Sequence, residues 1–319
     1  MDARFSLRRL LTVIYPWALA VILIIIVWQT VAARRAASPA SKPADVKNTL
    51  MCSTVLHDAM LGALPEASGL ALSARTPGVL WSMNDSGVPL VFPLDLMGRV
   101  VGRVRVTGAD INNWEDLSVA PCGGKSCLYI ADFGNGGGTQ RNDVVLYRVV
   151  EPAPSDTKSQ PVEAFNAAYP ADEDHESEAM FVAGGQLYLV TKGHPSLVFR
   201  FSQRMEAGTL TTLERVGAVP TERFQASTLR RQTRITDAES SPDGKWVAMR
   251  TNKELLLYRA ADVAAGHFDT LWQFDLSPLD EAQGEGVAIS NDGDVYLASE
   301  GGGHGLPGRF AHLKCQLPG

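Results

Sequence analysis

Five stretches of the chain move from small or acidic residues into apolar ones in the same way. They read Glu66-Ala67-Ser68-Gly69-Leu70-Ala71, Trp114-Glu115-Asp116-Leu117-Ser118-Val119, Glu176-Ser177-Glu178-Ala179-Met180-Phe181, Thr236-Asp237-Ala238-Glu239-Ser240-Ser241 and Gly284-Glu285-Gly286-Val287-Ala288-Ile289. A Gly-bearing turn follows each, and then a β-rich run at 79–84, 128–132, 187–191, 246–250 or 295–299. A strand-turn-strand unit recurring about every 50 residues predicts the blades of a β-propeller.

Aligned on Ser68, Asp116, Glu178, Thr236 and Glu285, the repeats stand 48, 62, 58 and 49 residues apart. Each interval has room for four short strands; after Asp116, 128–132, 144–149 and 162–169 all read as strands. The wider intervals hold polar, Pro-bearing stretches (151–161 and 220–234) that read as long surface loops. After Glu285 only 295–299 and 309–314 fit, so residues 53–61 are expected to supply the missing outer strand. The expectation is an all-β propeller with five blades by repeat count. Six stays open, since one blade could be degenerate.

The N-terminus breaks this pattern. Residues 10–33 form an apolar run of 24, interrupted only by Thr12, Pro16, Gln29 and Thr30. About 20 such residues span a bilayer, and Tyr15, Trp17 and Trp28 suit its interfaces. The run is longer than a signal-peptide core, so an uncleaved transmembrane signal anchor is expected, although Ala32-Ala33 and Ala36-Ala37 would also serve a peptidase. Residues 1–9 then form a short basic cytoplasmic tail, 34–50 a flexible Ala/Ser/Pro/Lys linker, and 51–319 the propeller. The net charge of −6 and pI of 5.6 leave no basic face for nucleic acid.

Four cysteines bear on the compartment. Cys122 and Cys127 enclose a tight turn, where a disulfide would staple a hairpin; without a second pair or histidines nearby, zinc does not fit. Cys52 and Cys315 become neighbours if the first and last strands meet to close a ring. Two disulfides point to an oxidising compartment, and four buried thiols are the alternative. The anchor and the disulfides together place the propeller on the periplasmic side of the inner membrane, attached through residues 10–33.

In a propeller the first strand of each blade lines a central channel. The aligned column brings Asp116, Glu178 and Glu285 to one mouth, with Glu66, Glu115, Glu176, Asp237 and Glu239 adjacent. The ends of the second strands add Asn84, Asp85, Asp132 and Glu300 as binding residues, with Lys192 and Arg250 as the positive members. Crowded carboxylates raise one another's pKa unless a cation, a basic side chain or water relieves them. An all-oxygen set suits calcium, which the acidic stretch 172–176 could also join from a loop. Neither a Gly-x-Ser-x-Gly elbow nor a His-Glu-x-x-His motif occurs.

Asn112-Asn113-Trp114-Glu115-Asp116, Asp132-Phe133-Gly134-Asn135, 236–244 and Glu285-Gly286-Val287-Ala288 resemble blade motifs of bacterial exported propellers. The resemblance is to the phytase-like and esterase-like group and more distantly to gluconolactonase-like proteins, over residues 65–300. It implies a calcium-lined mouth, with Asp116, Glu178, Asp237 and Glu285 as the metal-ligating positions, and in phytases a phosphate held by cations and basic side chains. The chain departs from that group in its blade count, since those families have six, and in a basic set reduced to Lys192 and Arg250. Together these readings predict a membrane-anchored binding module for a small-molecule ligand or envelope protein. The alternatives are a calcium-dependent hydrolase of a phosphoester, ester or lactone, and a purely structural partner in a membrane assembly.

Overall fold

A computed structural model describes residues 47–135, 142–170, 173–220, 233–269 and 271–319. The expected tail, the expected anchor at 10–33 and the linker up to residue 46 lie outside these. Among the described residues, no helix is long and apolar enough to cross a membrane. The unit from Val46 to Gly319 contains strands β1 to β23, numbered in chain order, in five sheets.

Blade one is β3 (Ala67–Leu72), β4 (Val79–Asn84), β5 (Leu90–Asp95) and β6 (Val104–Thr107). Blade two is β7 (Trp114–Cys122), β8 (Lys125–Asp132), β9 (Asp143–Val150) and β11 (Glu163–Ala168). Blade three is β12 (Ser177–Ala183), β13 (Gln186–Thr191), β14 (Ser196–Arg200) and β16 (Glu214–Val219). Blade four is β17 (Asp237–Ser240), β18 (Trp246–Arg250), β19 (Glu254–Arg259) and β20 (Leu271–Asp275). Blade five is β21 (Gln283–Ile289), β22 (Asp294–Glu300) and β23 (Gly308–Gln316), completed by β2 (Met51–Leu61) from the start of the chain. The innermost strands touch in the closed order β3, β7, β12, β17, β21 and back to β3. The count is five.

Each blade buries both faces against its neighbours, so its middle strands read as continuous apolar runs rather than alternating ones. In β8, Leu128 and Ile130 point into the cluster shared with blade one, while Cys127, Tyr129 and Ala131 point into the one shared with blade three. Five such clusters fill the five gaps between blades. This packing rests on area burial, about 25 cal/mol per Å² of apolar surface.

The ring closes as the strand count required. β2 pairs antiparallel with β23 in a register that sets Cys52 opposite Cys315, and the two form a disulfide. Cys122 and Cys127 form the second, so no free cysteine remains among the described residues. Two expectations change. The stretch 151–161 is not simply a loop: its end, β10 (Lys158–Pro161), adds as a parallel fifth strand to β6 of blade one. β15 (Leu210–Thr212) on β11 and β1 (Lys47–Thr49) on β20 do the same, so the propeller begins inside the last residues assigned to the linker. Most of 220–234 lies outside the described residues.

Candidate functional site

The inner strands carry a local device that the sequence alignment did not resolve. The pairing of β3, β7, β12 and β21 with their second strands slips by one residue at Gly69, Glu115, Glu178 and Glu285. Such a bulge re-aims a side chain, and a shift of one residue moves it to the opposite face. Glu115, not Asp116, is therefore the structural counterpart of Glu178 and Glu285. The column predicted from sequence is one residue off in blades one and two.

Two groups of acids result. At the upper mouth, where the inner strands begin, Glu115, Glu178 and Glu285 surround the ammonium of Lys192. Lys192 Nζ lies 2.5 Å from Glu178 Oε1 and 3.8 Å from Glu176 Oε1. Asp85 and Glu300, with Glu66 beside them, extend the acidic surface around the rim. Asp85 Oδ1 is buried without a hydrogen-bond partner among the described residues. Burial pushes Glu178 up to about 8, with Glu285 adding to the rise and Lys192 opposing it. Burial likewise lifts Glu285 to about 7 against the pull of Lys192. Glu300 rises to about 7 and Asp85 to about 6, each first by burial and then by neighbouring carboxyls. Glu115 is raised by burial and by Glu178, while the surrounding acids hold Lys192 firmly protonated. These groups interact strongly enough to titrate as one cluster.

One step further along the strands lies a second tier. Asp116 and Asp237 share a hydrogen bond, and burial followed by Asp237 drives the Asp116 pKa upward. Each also ties neighbouring blades together. Met180 N donates to Asp116 Oδ2 at 2.5 Å, and Val287 N donates to Asp237 Oδ2. Burial brings Asp237 to about 7 despite these bonds.

The four positions expected to ligate a metal are thus divided between tiers, Glu178 and Glu285 above and Asp116 with Asp237 below. Among the described residues, no group of three or more His, Cys, Asp or Glu side chains has the geometry to hold a metal ion. Lys192 already supplies positive charge to Glu178, Glu285 and Glu115. Glu173 of the acidic stretch pairs with His175, 2.8 Å away, and Glu176 reaches Lys192 at the mouth. The calcium set implied by the resemblance does not fit this arrangement.

Several predicted binding residues serve the framework instead. Arg250 is fully buried, with Nη2 at 2.5 Å from Glu281 Oε2 and Nη1 donating to the carbonyls of Gly286 and Ala298 at 3.1 Å each. Its donors are spent on joining blades four and five. Asp132 accepts from the backbone N–H groups of Asn112 and Asn113, which fixes the loop that enters β7. Asn84 bridges Glu66 N and the Ala63 carbonyl. Asn113 Nδ2 in turn donates to Glu115 Oε1 at 2.5 Å. Glu281 was not singled out from sequence, because no repeat position marks it, and Asn113 and Gly134 stood within motifs without a role of their own. The Asp132-Phe133-Gly134-Asn135 motif was the available signal, since Gly134 lies against the Glu115 carboxyl.

No family model and no curated protein sequence matches the chain. Among solved structures, it is similar to the PQQ-bound aldose sugar dehydrogenase of Streptomyces coelicolor at 10% identity and a TM-score of 0.49, over 86% of this chain and 100% of that one. It is also similar to a gluconolactonase from Xanthomonas campestris at 13% identity and a TM-score of 0.44, over 78% of this chain and 72% of that one. Both are β-propeller proteins. Likeness of this degree assigns neither cofactor nor substrate to this chain.

Proposed function

We propose that this chain is a binding module, held at the outer face of the inner membrane through residues 10–33, whose acidic upper mouth captures a positively charged, donor-rich ligand. The ligand is a small molecule or a basic segment of an envelope protein. One observation carries this reading: the carboxyls of Glu66, Asp85, Glu115, Glu176, Glu178, Glu285 and Glu300 gather at one mouth around a single ammonium. Acceptors there outnumber donors, so the mouth favours partners that bring N–H groups and positive charge. The two disulfides support an oxidising compartment for the domain.

The test is thermal unfolding of the purified chain with spermidine, with calcium and with EDTA, since a ligand of the native state raises the midpoint by mass action. Spermidine is expected to raise the midpoint in the wild type and to lose that effect in Glu178→Gln. A calcium-dependent rise lost in the same variant would replace this reading with a metal-binding one. The hydrolase alternative has one observation in its favour: Glu178 and Glu285 change protonation near neutral pH, as an acid-base pair would need. Turnover of a nitrophenyl phosphate, a nitrophenyl ester or a lactone that disappears in Glu178→Gln would establish it.

A further inference from the structure

The lower end of the channel differs in character from the upper. Where the inner strands of blades one to four end, Leu72, Val119, Ala120, Val182 and Pro242 wall a cleft of about 370 Å³. Among the described residues Glu239 is the sole acid lining it, and the exposed Lys125 stands at its edge. The Glu239 carboxyl, 6% exposed, reaches in from β17, and its Oε2 has no hydrogen-bond partner among the described residues. Ser118, fully buried on β7, lies beside it, and its hydroxyl opposes the rise that burial imposes on the Glu239 pKa. Buried polar atoms without partners are rare and costly, and a donor arriving from outside recovers that cost. Ser73, Ser126, Ser240 and Ser241 also line the cleft, and the larger part of its wall is apolar.

We infer that this cleft is a second binding site, specific for a primary ammonium carried on an apolar stem. The ammonium donates to the Glu239 carboxylate, which Ser118 positions from the side away from the cleft, while the stem lies along Val119, Val182 and Pro242. A neutral alcohol of the same length lacks the charge that compensates a buried carboxylate. A second positive charge on the ligand meets Lys125 at the edge, so the site prefers single-headed amines where the upper mouth prefers polycations. The site is independent of the reading of that upper mouth, because none of its residues belongs to it.

Isothermal titration of the full-length chain tests the inference with three probes: hexylammonium, hexan-1-ol and N-acetyl-lysine methylamide. Saturable binding is expected for an ammonium probe and not for the alcohol. The tighter of the two ammonium probes identifies a free amine or a lysine side chain as the source. Glu239→Gln is expected to weaken binding by about tenfold or more, the usual loss when a charged hydrogen-bond partner is removed. Ser118→Ala is expected to weaken it less. Should Glu239→Gln disturb folding, Ala74→Trp, at an exposed position on the same cleft, is expected to block binding with the carboxylate intact. Equal affinity for hexan-1-ol, unchanged affinity in a folded Glu239→Gln protein, or no saturable binding of either ammonium would each overturn the inference.

Discussion

Two glycines yield space to a charged neighbour, one at the upper mouth and one in the gap between blades four and five. A Cβ on Gly134 would stand 1.7 Å from Glu115 Oε1, and one on Gly284 would stand 1.7 Å from Arg250 Nη2. In both cases the glycine is needed for lack of volume. Arg250 cannot retreat, because Glu281 and two backbone carbonyls hold its guanidinium inside the protein. Gly284→Ala is therefore expected to destabilise the fold by about 1–3 kcal/mol, as overpacking does, measured by urea unfolding. Arg250→Met is expected to cost more, about 3–5 kcal/mol, because it leaves Glu281 buried without its partner. If Arg250 were instead an exposed ligand-binding cation, Arg250→Met would be nearly neutral for stability. Composition does not distinguish these roles. Lys192 and Arg250 occupy similar positions at the ends of second strands, yet one faces the mouth and the other the gap between blades.

At the scale of elements, closure of the ring rests on one strand brought from the start of the chain. β2 arrives from the start of the chain, and its join with β23 is fastened by the disulfide Cys52–Cys315, across a separation of 263 residues. Cys122–Cys127 spans only 5. Loop-closure entropy alone gives roughly 5.6 kcal/mol for the first and roughly 2 kcal/mol for the second. Cys52→Ser/Cys315→Ser is thus expected to lower the urea midpoint well beyond Cys122→Ser/Cys127→Ser. Equal losses would mean that β2 is held by pairing and packing alone. This closure was legible in the sequence because strands could be counted and the remainder located, and the same counting gave five blades. The bulges were not legible. One extra residue at Glu115 leaves the run Trp114-Glu115-Asp116-Leu117 looking like an uninterrupted strand, so the aligned column chose Asp116. The parallel fifth strands also escaped notice, since Lys158–Pro161 and Lys47–Thr49 are short, polar and supported by a neighbouring edge rather than by an apolar pattern of their own.

For the molecule as a whole, the channel stores acid groups in a form that neutral pH strains. Burial lifts the channel carboxyls above their ordinary range: Asp85 to about 6, Asp237, Glu285 and Glu300 to about 7, and Glu178 to about 8. A group whose pKa is higher folded than unfolded binds its proton more tightly in the native state. Its contribution is complete below the unfolded value, near 4, and is lost as pH rises through the folded one. Lys192 is also raised, but its contribution stays complete up to its ordinary value of 10.5, so it does not offset the loss in this window. Stability is therefore expected to fall between about pH 5 and pH 8.5, counter to the acid denaturation of a protein rich in salt-bridged carboxylates. Thermal unfolding across that range checks it, and a midpoint flat or rising towards pH 8.5 would contradict the buried acidic channel. Glu178→Gln carries the amide in place of the carboxyl and should flatten the upper part of the decline. A polycation at the upper mouth should oppose the same decline, most strongly at high pH where the carboxylates are charged. Stability measured against pH with and without spermidine thus joins the electrostatics of the fold to the function proposed for it: two converging curves at pH 5 that separate by pH 8 are the expected outcome.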